Sequence, residues 1–322
     1  MRAGAEKGKQ LTAMLATRNV YGNVLADLGA RHESIVVLNA DLSGSTKTEA
    51  FHKKFPHRFF NMGIAEADMI GTAAGLATIG KIPFVSTFAI FAVGKPWEQI
   101  RQSVANPDIN VKIVATHAGI TVGEDGASHQ CIEDIGLMRL LPNMTIIVPA
   151  DGIETEKALR AMVRHHGPVY LRLSRMDFPV LFDDDHEFAI GRGTVMKEGG
   201  DVTICAAGLM VSQALKAIER LEEDGISAQL INISTIKPID RNLIIQAART
   251  TGAVVTAEEH SVIGGLGSAV AEVLSEHCPA PLRRIGIQDR PGTSGSPAEL
   301  LERYRLNPSH IISAVQDVLR QK

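Results

Sequence analysis

The sequence predicts an α/β protein built from two doubly wound domains with mainly parallel sheets. Three observations carry that expectation. Short β-branched apolar runs alternate with helical stretches. The runs are almost continuously apolar, as strands covered on both faces are. An acidic loop, Phe182-Asp-Asp-Asp-His-Glu187, separates two such series. The 322 residues give room for two ordinary domains and a substantial core.

The first series opens with Ile35–Leu38. Ile82–Val85, Val111–Ala115, Thr145–Val148 and Val169–Leu173 repeat its type. Helical stretches lie between them, among them Lys95–Ala105 and Gly152–Arg164. The second series has strands at Val202–Ala206, Ile226–Ile231 and Ala253–Thr256. Its helices are Met210–Glu223, Arg241–Arg249 and Gly267–Glu276. The expected domains are 1–185 and 186–322, with the connection near 183–200. No low-complexity tract or solenoid period is evident.

Hydrophobic residues make up 45% and charged residues 21%, which suits a globular enzyme and excludes a disordered chain. A formal net charge of -3 gives no reason to expect a nucleic-acid or membrane-surface partner. Cys131, Cys205 and Cys278 are far apart and form no metal spacing, so they read as reduced thiols. The first ten residues have neither an apolar core nor a cleavage signal. The most apolar stretch, Ile82–Val93, is too short to span a bilayer. A soluble cytoplasmic protein is expected.

Chemistry concentrates at one place. Phe60-Asn-Met-Gly-Ile-Ala-Glu66-Ala-Asp-Met-Ile-Gly71-Thr-Ala-Ala-Gly-Leu-Ala77 sets an acid at the start of a helix of small and apolar residues. Glu66 is either a carboxylate that complements the helix dipole or a proton-handling group at a packed junction. Ligands of open α/β sheets gather beyond the carboxyl ends of strands. Four such loops carry polar residues: Asn39-Ala-Asp41-Leu42-Ser-Gly-Ser45, Ser86-Thr-Phe88-Ala-Ile-Phe91, Thr116-His117 through Asp125 to His129-Gln130, and Ser174-Arg175. Taken singly, Phe88 and Phe91 read as core, and Gly123–Gly126 as a turn. One sheet edge nevertheless collects two His, an Asp, a Ser, an Arg and two Phe.

Along essentially its whole length the chain resembles the C-terminal half of transketolase, the pyrimidine-binding domain followed by the C-terminal domain. GIAEADMIGTAAGLA is similar to the segment bearing the family's glutamate, and STFAIF to the aromatic segment after it. THAGITVGEDGASHQ resembles the histidine loop and is the most specific of these signals. NADLSGS and LRLSR resemble the loops beside the substrate channel, and AEEHSVIGGLGSAVAEVL the C-terminal domain. The resemblance implies thiamine diphosphate as cofactor. Glu66 would bond the pyrimidine N1′ and drive its amino–imino tautomer, Phe88 and Phe91 would pack on that ring, and Asp41 and Leu42 would lie close to it. His117, Asp125 and His129 would line the sugar, the histidines aiding proton transfer. Arg18, Ser45 and Arg175 would hold the substrate phosphate, for which a guanidinium fork is suited. One position departs from the family, with Gly94 standing where a further aromatic is common.

The resemblance also implies what must come from elsewhere. A Gly-Asp-Gly with a following Asn, which anchors Mg²⁺ and diphosphate in the family, has no counterpart here. Half a site cannot hold a hard divalent cation. The expectation is the C-terminal subunit of a split transketolase. An N-terminal subunit would hold Mg²⁺, thiamine diphosphate would lie in the seam, and two copies of each chain would surround a dyad. Three relatives within the superfamily compete: the β subunit of a 2-oxo acid dehydrogenase decarboxylase, a deoxyxylulose-phosphate-synthase-like subunit, and a transketolase for a branched or sulfonated sugar. From another class, Gly264-Gly-Leu-Gly-Ser-Ala269 lacks the third glycine and the strand context of a dinucleotide fingerprint.

Overall fold

The computed structural model describes residues 13–322. Strands β1 (Met14–Ala16), β2 (Ile35–Asn39), β3 (Phe59–Asn61), β4 (Ile82–Phe88), β5 (Lys112–Thr116), β6 (Thr145–Ile147) and β7 (Val169–Arg172) come first. They are followed by β8 (Asp177–Pro179), β9 (Thr194–Lys197), β10 (Val202–Ala206), β11 (Ala228–Asn232), β12 (Thr235–Lys237), β13 (Val254–Ser261) and β14 (Leu282–Ile287). One sheet runs β12-β6-β7-β5-β4-β2-β3, a second runs β14-β13-β10-β11-β9, and β1 pairs with β8 in a ribbon. From β6 to β3 every pairing is parallel. The second sheet is parallel apart from β9 at its edge.

The expected fold class therefore holds, for the expected reason. Strands β2, β5, β7, β10 and β11 are buried at every residue, because helices cover both faces. Helix Gly152–Arg164 has the bounds read from the sequence, since Asp151 caps it by accepting from the Glu154 N–H. Among the described residues no helix is long and apolar enough to cross a membrane.

Several expected segments differ, among them the strand expected at Ala253–Thr256, which runs Val254–Ser261, and two segments near the site. Strand β4 runs on through Ser86-Thr87 to Phe88, because β5 offers a partner as far as Phe88↔Thr116. The expected helix Lys95–Ala105 is instead a short turn, Trp97–Gln99, leading into a π-helical Ile100–Ala105. Pro96 disfavours helical backbone at Lys95, the residue before it, so regular helix does not form across that pair.

The second series also lends a strand to the first sheet. β12 pairs antiparallel with β6, Thr235 opposite Ile147. Lys237 next to that pairing donates its ammonium to the carbonyls of Arg139 and Leu141.

A buried polar hub joins the two sheets. Arg172 of β7 donates from Nε to Asp134 at 2.7 Å and from Nη2 to the Glu259 carbonyl of β13 at 3.0 Å. Tyr170 donates its hydroxyl to the same Asp134 oxygen at 2.7 Å. Burial alone would raise the Asp134 carboxyl, but the Arg172 guanidinium, His260 and the Tyr170 hydroxyl together outweigh it and hold the group below its ordinary range. Removing one partner of such a pair strands the other charge. We expect Arg172→Met to lower unfolding free energy in urea by about 3–5 kcal/mol. A loss within the scatter of surface substitutions would contradict the hub's role.

Candidate active site

The parallel order of β2, β4, β5 and β7 delivers their four following loops to one edge of the first sheet. A fifth segment arrives by the β1–β8 ribbon. Ala16 pairs with Asp177, and the Thr17 hydroxyl accepts from the Ser174 N–H at 3.0 Å. Arg18 is thereby set beside the loop that carries Arg175.

Glu66 begins helix Glu66–Thr78 and is 4% exposed. It lines a cleft of about 310 Å³ together with Ala40, Asp41, Leu42, Ile64, Phe91 and Lys95. Four of the expected site residues thus share one cavity. Asp41 has a left-handed backbone, φ 59°, uncommon for a residue with a side chain and frequent at functional sites. A reciprocal pair with Asn61 holds it: the Asp41 N–H donates to Asn61 Oδ1 at 3.0 Å, and Asn61 Nδ2 donates to Asp41 Oδ1 at 3.1 Å.

Phe88 is not part of that cleft's lining. Its ring stacks on His117 with centroids 3.8 Å apart, and Phe91 follows at 5.9 Å. His129 meets Phe91 edge-on at 5.6 Å. Rings therefore run continuously from the Glu66 cleft to His117. Of the two sequence readings of Phe88 and Phe91, the structure gives each a part: Phe88 is buried and Phe91 half-exposed on the cavity wall.

At the far end Arg18 Nη1 donates to His117 Nε2 at 3.2 Å and to the Ser45 carbonyl at 3.1 Å. Ser45 thus meets Arg18 through its backbone, not its hydroxyl. Because Arg18 can only donate, His117 Nε2 accepts. The ring proton then sits on Nδ1, 2.8 Å from the Thr116 hydroxyl. His117 also has a left-handed backbone, φ 58°. Arg175 Nη1 donates to the Val122 carbonyl at 2.8 Å and pairs with Asp125 at 3.3 Å.

Four contributors escape sequence reading. Lys95 Nζ lies 3.2 and 3.4 Å from the two Glu66 carboxylate oxygens and 5.1 Å from the Phe91 ring centroid. A Cβ at Gly94 would come 2.8 Å from the Ile90 carbonyl oxygen, so no side chain fits there and the next residue lines the cavity. Asn61 is the second. Glu259 and Gln130 are the others, and they brace the histidine loop. Glu259 accepts from the Thr121 N–H at 2.7 Å, and Gln130 donates to the carbonyls of Ile120 and Thr293. A charge right after the aromatic segment was a signal for Lys95. Nothing local in sequence marks Glu259, which acts across 138 positions. Among the described residues no group of three His, Cys, Asp or Glu converges on a metal position.

Burial, followed by the charges of Arg18 and Arg175, pushes His117 down to about 3 from its ordinary 6.5. The ring is a neutral hydrogen-bonding group throughout the physiological range. On unfolding it regains its ordinary affinity for a proton. The stability linked to it is therefore fully present above 6.5 and falls as pH drops from there toward 3. Imidazole ¹⁵N shifts should report an unprotonated His117 at pH 5; titration near its ordinary value would contradict this geometry.

Known proteins resemble the chain along nearly its whole length. The family profile "Transketolase, pyrimidine binding domain" matches residues 13–180, and "Transketolase, C-terminal domain" matches residues 191–311. A chain of Methanocaldococcus jannaschii named as a transketolase C-terminal section is 50% identical over 308 residues, covering 95% of this chain and 96% of its own. A 6-deoxy-6-sulfo-D-fructose transketolase subunit of Clostridium sp. is 42% identical, covering 95% of each. A solved structure described as a split gene transketolase, inactive beta4 tetramer, superposes with a TM-score of 0.88 at 54% identity, covering 96% of this chain and 99% of that one. This chain belongs to the transketolase family and spans its pyrimidine-binding and C-terminal domains.

Proposed function

We propose that this chain is the C-terminal subunit of a split, thiamine diphosphate-dependent transketolase that moves a two-carbon ketol unit from a ketose phosphate to an aldose phosphate. The observation that carries the reading is the Glu66 carboxylate, almost wholly buried at the wall of an aromatic-sided cleft of about 310 Å³. That volume and lining suit one substituted heteroaromatic ring. A buried carboxylate beside the ring suits its nitrogen, so the residues fit an aminopyrimidine. When bound, thiamine diphosphate supplies the nucleophilic carbon and the electron sink for carbon–carbon cleavage.

Each residue then has a task. Glu66 exchanges a proton with the ring nitrogen, and its burial makes that contact strong. Phe91 forms the apolar wall, with Asp41 and Leu42 completing the cavity. Neutral His117, its tautomer fixed by Thr116, orients a sugar hydroxyl by exchanging the Arg18 contact at Nε2, and His129, half-exposed beside Phe91, moves protons at the sugar. Asp125 receives a hydroxyl, and Arg18 and Arg175 hold the anionic tail, with Ser45 setting the position of Arg18. We place the contacts to Mg²⁺ and diphosphate on an N-terminal partner, with two copies of each chain around a dyad in the cytoplasm.

The sulfo-sugar relative favours a second reading of the donor alone. A sulfonate offers the same tetrahedral oxygens as a phosphate with less charge, and guanidinium groups accept either. A panel of phosphorylated, branched and sulfonated ketoses, with pyruvate as the contrasting donor, sorts these substrates.

The chain alone should show no ketol transfer, and addition of the N-terminal subunit should restore it. In the reconstituted enzyme Glu66→Ala should lower kcat by about 100-fold or more, the usual worth of a positioned proton-transfer group. Unchanged turnover in that variant would sink the proposal.

A further inference from the structure

Lys95 is a charged group in this cavity to which the reaction assigns no task. Its partner, Glu66, is 4% exposed, while the Lys95 side chain is 53% exposed. This asymmetry decides which group can leave. The carboxylate has little access to water, and an unpaired buried charge is costly. The ammonium can turn into solvent by rotation of its own side chain, with no backbone movement.

The contact itself is loose. Its distances, 3.2 and 3.4 Å, exceed the short range of a strong charge-assisted bond. An ion pair with one half-exposed member contributes little net attraction. Lys95 is nevertheless well placed to block. Its ammonium lies 3.2 Å from the Glu66 carboxylate and over the face of Phe91, 5.1 Å from that ring's centroid. A flat ring packed on Phe91 with a nitrogen on Glu66 would need the same space.

We propose that Lys95 is an exchangeable occupant of the Glu66 carboxylate, and that an aminopyrimidine entering the cleft binds by displacing it. The inference rests on the function proposed above and deepens it: this chain's own lysine competes with the cofactor ring for one acid. Lys95 neutralises Glu66 before the ring arrives and gives way when it does. It is a positioning residue that sets how tightly the ring is held, not a group that touches the reacting atoms.

The test is a double-mutant cycle on the assembled enzyme, reading the Kd of thiamine diphosphate with Mg²⁺ by titration calorimetry. Lys95→Met keeps the apolar stem and removes the charge. In the Glu66 background it should tighten binding by about two- to fivefold, the scale of a weak exposed pair. In the Glu66→Gln background the same substitution should leave Kd unchanged, since no charge is left to contest. Equal or weaker binding by Lys95→Met with Glu66 intact overturns the inference, as does an equal effect in both backgrounds. Failure of the underlying functional reading looks different: the assembled enzyme would bind no thiamine diphosphate, or Glu66→Gln by itself would leave Kd unmoved.

Discussion

The pairing of Arg172 with Asp134 is the contact on which the rest of the molecule turns. It lies below the site, between the two sheets, and neither member touches the cleft. Arg172 ends β7, from which Ser174 and Arg175 lead into the site, and it also reaches the backbone of Glu259 in β13. The Glu259 side chain in turn holds Thr121 in the histidine loop. A displacement at this hub would move Arg175 and the histidine loop together. The second sheet therefore shapes the site without contributing a residue that faces the cleft.

Charged groups in the site come with protein partners already in place. Glu66 faces Lys95, Asp125 faces Arg175, and Arg18 leans on a histidine kept neutral by burial and by the positive charges around it. Such matching lowers the cost of keeping polar groups inside a folded chain. It also means that a ligand arriving here trades partners with the protein rather than meeting bare charges. Affinity then depends on how loosely the resident pairs are held.

Most of the architecture was legible because burial on both faces of a parallel sheet leaves a plain apolar signature. Strand β10 and helix Gly152–Arg164 fall where the pattern puts them. Segments whose form depends on a distant neighbour were read short or wrong. β4 continues to Phe88 only because β5 lies alongside, and the turn after Pro96 widens into π-helix. The site was legible as a set of strand-end loops, and the structure brings Glu66, Asp41, Leu42 and Phe91 around one cavity. It was not legible as a network. Lys95 on Glu66 spans 29 positions and Glu259 on Thr121 spans 138, and no local pattern records such pairings.

β12 carries a consequence for the chain as a unit. Three residues from the second series close the outer flank of β6 in the first sheet. If the chain were severed at its acidic connector, the leading fragment would keep the whole cleft but expose a row of unsatisfied peptide groups, an invitation to stick to its own copies.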